Sequence, residues 1–426
     1  MPVGGKSAAD TGDWPLDQGD DAGLLLDAAS AFPPDPDRHV GVAVSGGGDS
    51  VALLHLMTRA CRYERVPLAA VTVDHALRDG SAAEAVMVAG LCASLGVPHR
   101  TVRWEHGAVP GNLMDAARQA RMALIREWAR AEGITHVALG HTADDQAETF
   151  LMALSRSAGL DGLVGMRRLW RDDGIQWSRP LLGVTRADLR AYLLRHGINW
   201  ADDPTNDDPR YERVRARRVM AALAPLGIDV RRIGTAQSHL TWAKWALDEM
   251  LETAVRSHVQ ETAGALRVDR AGFDALPHDL QRQMLMAGIA WLSGNPVPPR
   301  MGKQITLMFA ARESRDATLL GCRLRSGPDY LLLTREPKAA SGVVPVGTLW
   351  DHRWRVTGPP GEVRALGPKG LPQVPNWRAL NIPRETLLVT PAVWDGDTLL
   401  AAPVAGMGNG WKARIVAPFH RFAVSH

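Results

Sequence analysis

Cysteine is scarce. Three occur in 426 residues, Cys61, Cys92 and Cys322, far apart and with no CxxC spacing among them. That argues against a disulfide framework, a structural zinc site and a cysteine-ligated iron–sulfur cluster. A strong charge of either sign is also missing. The formal net charge is +3, which does not demand nucleic acid but suits a chain whose basic residues are locally concentrated. No apolar run is long enough to cross a bilayer. Met1–Asp13 lacks the basic start and apolar core of a secretory signal, so a cytoplasmic protein with no membrane partner is the expectation. The rest is ordinary for a folded protein: 46% hydrophobic, 22% charged, and a length that suggests two or three domains.

Residues 1–37 are polar and rich in Asp, Gly and Pro, and read as a flexible tail with one short helix near Leu24–Ala31. The texture then changes. Short apolar runs at Val40–Val44, Pro67–Val73, Arg100–Trp104 and His136–Gly140 predict strands. Between and after them, Val51–Cys61, Ala82–Leu95, Asn112–Ala131 and Asp144–Ser155 predict helices. This alternation predicts a parallel sheet covered on both faces. It stops near residue 212. Beyond, Leu240, Ala243, Leu247, Met250, Leu251 and Ala254 would line one amphipathic helix, and Leu280, Met284 and Gly288 another. A hairpin is expected around Thr318–Cys322 and Tyr330–Thr334. Residues 337–347 read as a linker, and the remainder, with apolar runs at Leu387–Val389 and Leu399–Ala402, as a small domain with much β-structure.

The most informative segment follows the first strand: Ser45, Gly46, Gly47, Gly48, Asp49, Ser50. Glycines let the backbone approach oxygen atoms closely, and a helix N-terminus adds partial positive charge, so phosphate is the natural ligand. No Lys follows, so this is not the GxxxxGK[ST] loop. Asp49 stands instead where phosphate would bind, which calls for Mg²⁺ between carboxylate and phosphate oxygens. The bland alternative is a glycine-rich turn with an N-capping acid. The serine and glycine pattern resembles that of the PP-loop ATP-pyrophosphatases, which cleave ATP to AMP and pyrophosphate and adenylate an oxygen of their substrate.

The fourth strand ends in His141, Thr142, Ala143, Asp144, Asp145, Gln146, Ala147, Glu148. Ligands of open α/β sheets gather at the carboxyl ends of strands, so this segment should face the same crevice. Asp145 would complete the metal shell with Asp49, and Glu148 would hold a cationic amine or take its proton. For Asp144, a dipole-favoured acid in a first helical turn explains as much. Asp74 and His75 at the end of the second strand suit either an adenine or ribose contact or a cap and a surface histidine. Arg118 and Arg121 suit either ATP phosphates or a solvated helix face. RYERVRARR at 210–218 is a candidate RNA-backbone contact or a solvated basic helix.

Taken in order, SGGGDS, VDHALR, GHTADDQAET, GLDGLVGM, SRPLL and DDPTNDDPRYERVRARR resemble the tRNA(Ile)-lysidine synthetase family. The resemblance covers residues 38–218, and 317–336 and 391–407 are similar to that family's two C-terminal modules. It implies an α/β fold with a parallel-sheet PP-loop (adenine nucleotide alpha-hydrolase-like) catalytic domain at 38–218. A mainly helical tRNA-binding domain at 219–336 and a small mixed α/β or β-rich domain at 348–426 would follow. The implied activity is ATP-dependent ligation of free L-lysine to C2 of the wobble cytidine of tRNA(Ile) with a CAU anticodon, through an adenylated tRNA. Ser45–Ser50 would bind pyrophosphate, Asp49 and Asp145 handle Mg²⁺, and Glu148 with His141 and Asp144 orient lysine. Arg118 or Arg121 would contact ATP, and Arg213, Arg215 and Arg217 the tRNA. Val214 stands where the family has Asn, Asp115 where it often has Glu, and Thr205 where it has Ser. A tRNA 2-thiolase or a small-molecule amidating synthetase is the alternative. Oligomeric state is left open, a homodimer being one option.

Overall fold

The computed structural model describes residues 21–35, 37–75, 81–106, 113–201 and 210–423. The chain divides into two compact units, Met1–Trp242 and Ala243–His426. In the first, α1 (Ala22–Ala29) precedes β1 (Val40–Ala43), α2 (Gly48–Glu64), β2 (Leu68–Asp74), α3 (Ser81–Ser94), β3 (His99–Arg103), α4 (Leu113–Ala131), β4 (His136–Leu139) and α5 (Ala143–Ser155). The expected alternation is present, with α2 beginning at Gly48, before the predicted start.

The six-stranded sheet has the order β3-β2-β1-β4-β6-β5. Strands β1 to β4 and β6 (Ile175–Ser178) run parallel, whereas β5 (Leu169–Asp172) pairs antiparallel with β6. The expected parallel sheet is present, and a hairpin that the sequence reading did not include adds one antiparallel edge strand. Its two strands are four residues each, with charged and polar side chains between the apolar ones, so they carry no long apolar run. Both faces are covered. Val40, Val42 and Val44 pack with Leu53, Leu54, Leu56, Leu189 and Tyr192 on one side. Ala43 and Val71 pack with Ile125, Trp128 and Trp177 on the other. The chain leaves β1 toward β2 and β3, then returns to β4 on the opposite side of β1. That reversal opens a crevice at the carboxyl ends of β1 and β4.

After α6 (Leu160–Leu163) and the hairpin come α7 (Arg186–Arg195), α8 (Glu212–Leu223) and α9 (Val230–His258). The loose tail expected at the N-terminus is not what is seen from Asp21 onward. Leu25 and Ala28 on α1 are buried in the sheet's first core, and Asp21 is gripped by Arg59, Arg195 and His196. Residues 1–20, the segment 76–78 of VDHALR and the DDPTNDDP run with Thr205 lie outside the described residues.

The second unit contains the expected helices and, in addition, a five-stranded antiparallel sheet of order β7-β8-β11-β10-β9. These strands are β7 (Val259–Thr262), β8 (Ala265–Asp269), β9 (Ala317–Leu319), β10 (Cys322–Ser326) and β11 (Tyr330–Arg335). The hairpin read near residues 318–334 is part of it, and β7–β8 escaped the sequence reading. Leu280 and Met284, on the helix His278–Ser293, are buried with Leu251, Ala254, Leu324 and Leu333. Of the stripe expected on α9, Met250 is exposed. Within the segment read as a linker, Ala340 is buried and Val344–Pro345 pairs with Glu362–Ala365. Pro391–Asp395 and Thr398–Ala401 extend that sheet. Leu387 and Leu388 belong to the helix Arg384–Leu388, not to a strand, because three successive apolar residues carry no period.

Candidate active site

The turn after β1 is set by its glycines. Gly46 has φ +92°, a conformation a side chain disfavours. Gly47 is the extended N-cap of α2. The Ser50 hydroxyl donates to Gly47 O at 2.9 Å and accepts from the Ser45 amide at 3.1 Å, with Ser45 Oγ 3.2 Å away. Ser50 therefore staples the turn rather than standing free, while Ser45 is exposed. The first N–H groups of α2 have no intrahelical acceptor and open at the crevice. Gly140, at the end of β4, faces this turn. A Cβ there would lie 3.0 Å from Ser50 Cα, so only glycine lets β4 and α2 approach so closely.

Asp145 sits at the third position of α5 in a capping box with Thr142. Its Oδ2 accepts from the Thr142 amide at 2.9 Å and the Thr142 hydroxyl at 3.1 Å. The other oxygen, Oδ1, points into the crevice. There it meets Arg186, the first residue of α7. Arg186 Nη2 is 2.6 Å from Asp145 Oδ1, Nη1 is 2.6 Å from Glu148 Oε1 and Nε is 3.3 Å from Asp49 Oδ2. One guanidinium thus joins the three acids that the sequence singled out from two separate segments. Glu148 Oε1 also accepts from Arg217 Nε at 2.7 Å, and Arg213 Nη1 lies 3.7 Å from Asp145 Oδ1. Glu148 Oε2 is buried with no partner among the described residues.

The electrostatics follow from burial and these neighbours. Burial pushes the Asp49 carboxyl above its usual value, outweighing Arg186. Burial acts the same way on Asp145, but Arg186, the Thr142 amide and His141 together hold it below the usual carboxylate value. His141 is depressed to about 3, by burial and then by Arg179, so its ring is neutral near pH 7. Arg179 Nε donates to His141 Nδ1 at 3.3 Å, and its guanidinium lies 4.1 Å from the Trp170 ring centre. Burial and then Arg118 lower Arg179 to about 10. Arg121 adds its charge at both His141 and His75. His75, whose buried Nδ1 has no partner among the described residues, sits edge-on to Trp104. Asp74 ends β2, its carbonyl accepting from the Trp104 amide at 2.8 Å.

Not every expected residue joins the cluster. Asp144 Oδ2 accepts from the backbone N–H of Arg186 at 2.8 Å, so it caps α7. Arg215 is exposed and donates to Arg210 O at 3.1 Å. Arg213 and Arg217, four apart on α8, share the face that reaches the acids, and Arg215 between them cannot. Val214 is buried, an apolar anchor where the resemblance expects Asn. Arg186 and Arg179 were missed. Arg186 did leave a signal: an arginine opening a helix behind a Thr185–Asp188 capping box runs against the helix dipole and needs acids elsewhere.

The donors suit a hard divalent cation in part. Asp49 and Asp145 offer carboxylate oxygens to one point, and Glu148 Oε2 awaits a positive partner. Among the described residues no three His, Cys, Asp or Glu side chains converge as a complete metal-binding group, so phosphate oxygens or water would have to finish the shell.

A doubly covered sheet, a glycine turn leading into a helix, and acids at the topological switch point define a PP-loop nucleotide-binding protein. The PP-loop domain family matches residues 25–223. A tRNA(Ile)-lysidine synthase of Ruegeria pomeroyi is 44% identical over 410 residues, 95% of this chain and 98% of that one. One of Bradyrhizobium is 40% identical over 313 residues, 70% and 86% of the two chains. This chain belongs to the tRNA(Ile)-lysidine synthase family. Among solved structures, a U34-tRNA thiolase from Methanococcus maripaludis aligns with TM-score 0.44 at 15% identity, covering 51% of this chain and 78% of that one. The cysteines Cys61, Cys92 and Cys322 are buried and unpaired. No described helix is long and apolar enough to cross a membrane.

Proposed function

We propose that this chain activates the C2 carbonyl oxygen of the wobble cytidine of tRNA(Ile) with a CAU anticodon, using ATP and releasing pyrophosphate. Free L-lysine then attacks C2 through its ε-amine, AMP leaves, and lysidine results. The observation that carries the reading is that one guanidinium, Arg186, bridges Asp49, Asp145 and Glu148 beside the α2 N-terminus, in a chain so similar to lysidine synthases.

The turn's backbone N–H groups hold the β,γ end of ATP. Arg118, Arg121 and Arg179 offset phosphate charge at the same rim. Asp49 and Asp145 would hold Mg²⁺, which would supply neutralisation of the leaving pyrophosphate. Glu148, with one oxygen that has no partner among the described residues, binds the lysine ammonium and takes the proton that the amine must lose to attack. Neutral His141 lines the same rim and keeps Arg179 in place. Arg213 and Arg217 lie between the acids and the basic surface of α8, where the anticodon would arrive, and residues 219–336 carry the tRNA body. An enzyme with these substrates works in the cytoplasm.

The test is incorporation of labelled lysine into a tRNA(Ile) transcript bearing CAU, with pyrophosphate release followed with and without lysine. Asp49→Ala should lower incorporation by at least about 10²-fold while thermal unfolding stays near that of the wild type. Equal incorporation by both proteins would remove Asp49 from the chemistry. No incorporation by the wild type would remove the proposed function.

A further inference from the structure

The carboxylate cluster already contains a cation. Arg186 opens α7, a position where the helix dipole disfavours positive charge, and its backbone N–H is fixed by Asp144. Its guanidinium spends all three nitrogens on Asp49, Asp145 and Glu148, and its side chain is only 19% exposed. With Arg213 and Arg217 alongside, three guanidiniums offset most of the charge of Asp49, Asp145, Glu148 and the neighbouring Asp144, which brings the cluster close to charge balance.

That balance has a consequence for metal entry. A bare divalent cation bound to Asp49 and Asp145 would displace Arg186 from both acids. It would leave excess positive charge in a part-buried crevice and a guanidinium with Glu148 as its one remaining acid partner among those three. A metal that arrives on a polyphosphate brings its own negative charge, and the phosphate oxygens offer the released guanidinium new acceptors. We propose that Arg186 is a placeholder for the metal: it keeps Asp49 and Asp145 gathered before ligands arrive, and makes metal entry conditional on the nucleotide. Arg186 is a positioning residue acting through these two acids. The inference rests on the function proposed above and adds the order in which its ligands enter.

The readout is metal binding rather than turnover. Mn²⁺ alone is titrated into the full-length protein, and free Mn²⁺ is followed by electron paramagnetic resonance, without and then with ATP. The wild type should bind Mn²⁺ weakly alone and firmly with ATP. Arg186→Met should bind Mn²⁺ alone about tenfold tighter or more, because two acids lose their resident cation. Adding Asp49→Asn to that variant should cancel the gain. Mn²⁺ affinity of Arg186→Met equal to or below that of the wild type, in a protein that still binds Mn²⁺ with ATP, overturns the placeholder and leaves the proposed function standing. A wild type that takes up no Mn²⁺ with ATP overturns both. Should Arg186→Met fail to fold, Arg186→Lys replaces it. A compact ammonium cannot bridge three acids, so a several-fold gain is expected, and an unchanged affinity overturns the inference.

Discussion

Two buried ionic clusters in this chain use the same residue types and end in opposite states. In the second unit Asp351, with a side chain 2% exposed, is held by Arg335, whose Nη2 and Nε lie 3.0 and 3.1 Å from Oδ1. Arg335 also donates to the carbonyls of Gly321 and Ala339. Arg353 donates to Gly264 O at 2.6 Å and lies 4.8 Å from the Trp291 ring centre, with Nε 3.6 Å from Asp351 Oδ2. Donors outnumber the acid, and backbone carbonyls, each with two lone pairs, absorb most of the excess, while Arg353 Nε has no hydrogen-bond partner among the described residues. In the first unit the acids gather around Arg186, and Glu148 Oε2 has no partner among the described residues. A buried acceptor left over in this way is met by a donor or cation from outside. The first arrangement is a post that holds strands together; the second is a site.

Substitution can separate the two. Asp351→Asn strands two buried guanidiniums and should lower unfolding free energy by about 3–5 kcal/mol in a urea titration. Lysine incorporation per folded molecule should stay unchanged. A loss of activity without a loss of stability there would erase the distinction. Glu148→Gln is the converse case. The amide oxygen can still accept from Arg186 and Arg217, so the urea midpoint should move far less than for Asp351→Asn. Lysine incorporation should drop by about 10²-fold, because the amide neither holds an ammonium nor takes a proton.

The smallest effect belongs to a third buried group. His55 Nδ1 lies 2.6 Å from the Tyr192 hydroxyl, and burial, then the charges of His196 and Arg59, depress its pKa from 6.5 to about 4. Its ring is neutral in the fold and charged in the unfolded chain between those values. Stability is therefore lost as pH falls from about 6.5 to about 4, and this contribution stops there. His55→Gln should flatten that slope by on the order of 1 kcal/mol in urea titrations across the window. An unaltered slope would assign the acid sensitivity to other groups.

The parts of this molecule that were legible in the sequence are those whose signal is local. VGVAV, the three glycines and Asp49 lie within eleven residues, and the turn is where they place it. The β5–β6 hairpin and β7–β8 left too short a pattern, and Leu387–Leu388 is apolar in a helix as readily as in a strand. Arg186 illustrates the harder limit. Its partners are 137, 41 and 38 positions away in the chain. Nothing near it in the sequence names them, although its position at the head of a helix shows that it needs them. Met250, expected to be inside, is exposed because periodicity locates a helix face but not how much of that face is covered.

Asp145 divides its two oxygens between tasks usually given to different residues. With Oδ2 bonded to Thr142, the side chain is locked into one rotamer before anything binds, and Oδ1 is aimed by the same lock. A carboxylate that had to be ordered on ligand arrival would forfeit about 0.5–1.5 kcal/mol of affinity. Here the start of a helix has already frozen it, so the bond that nucleates α5 also sharpens the grip on whatever cation comes to rest at Oδ1.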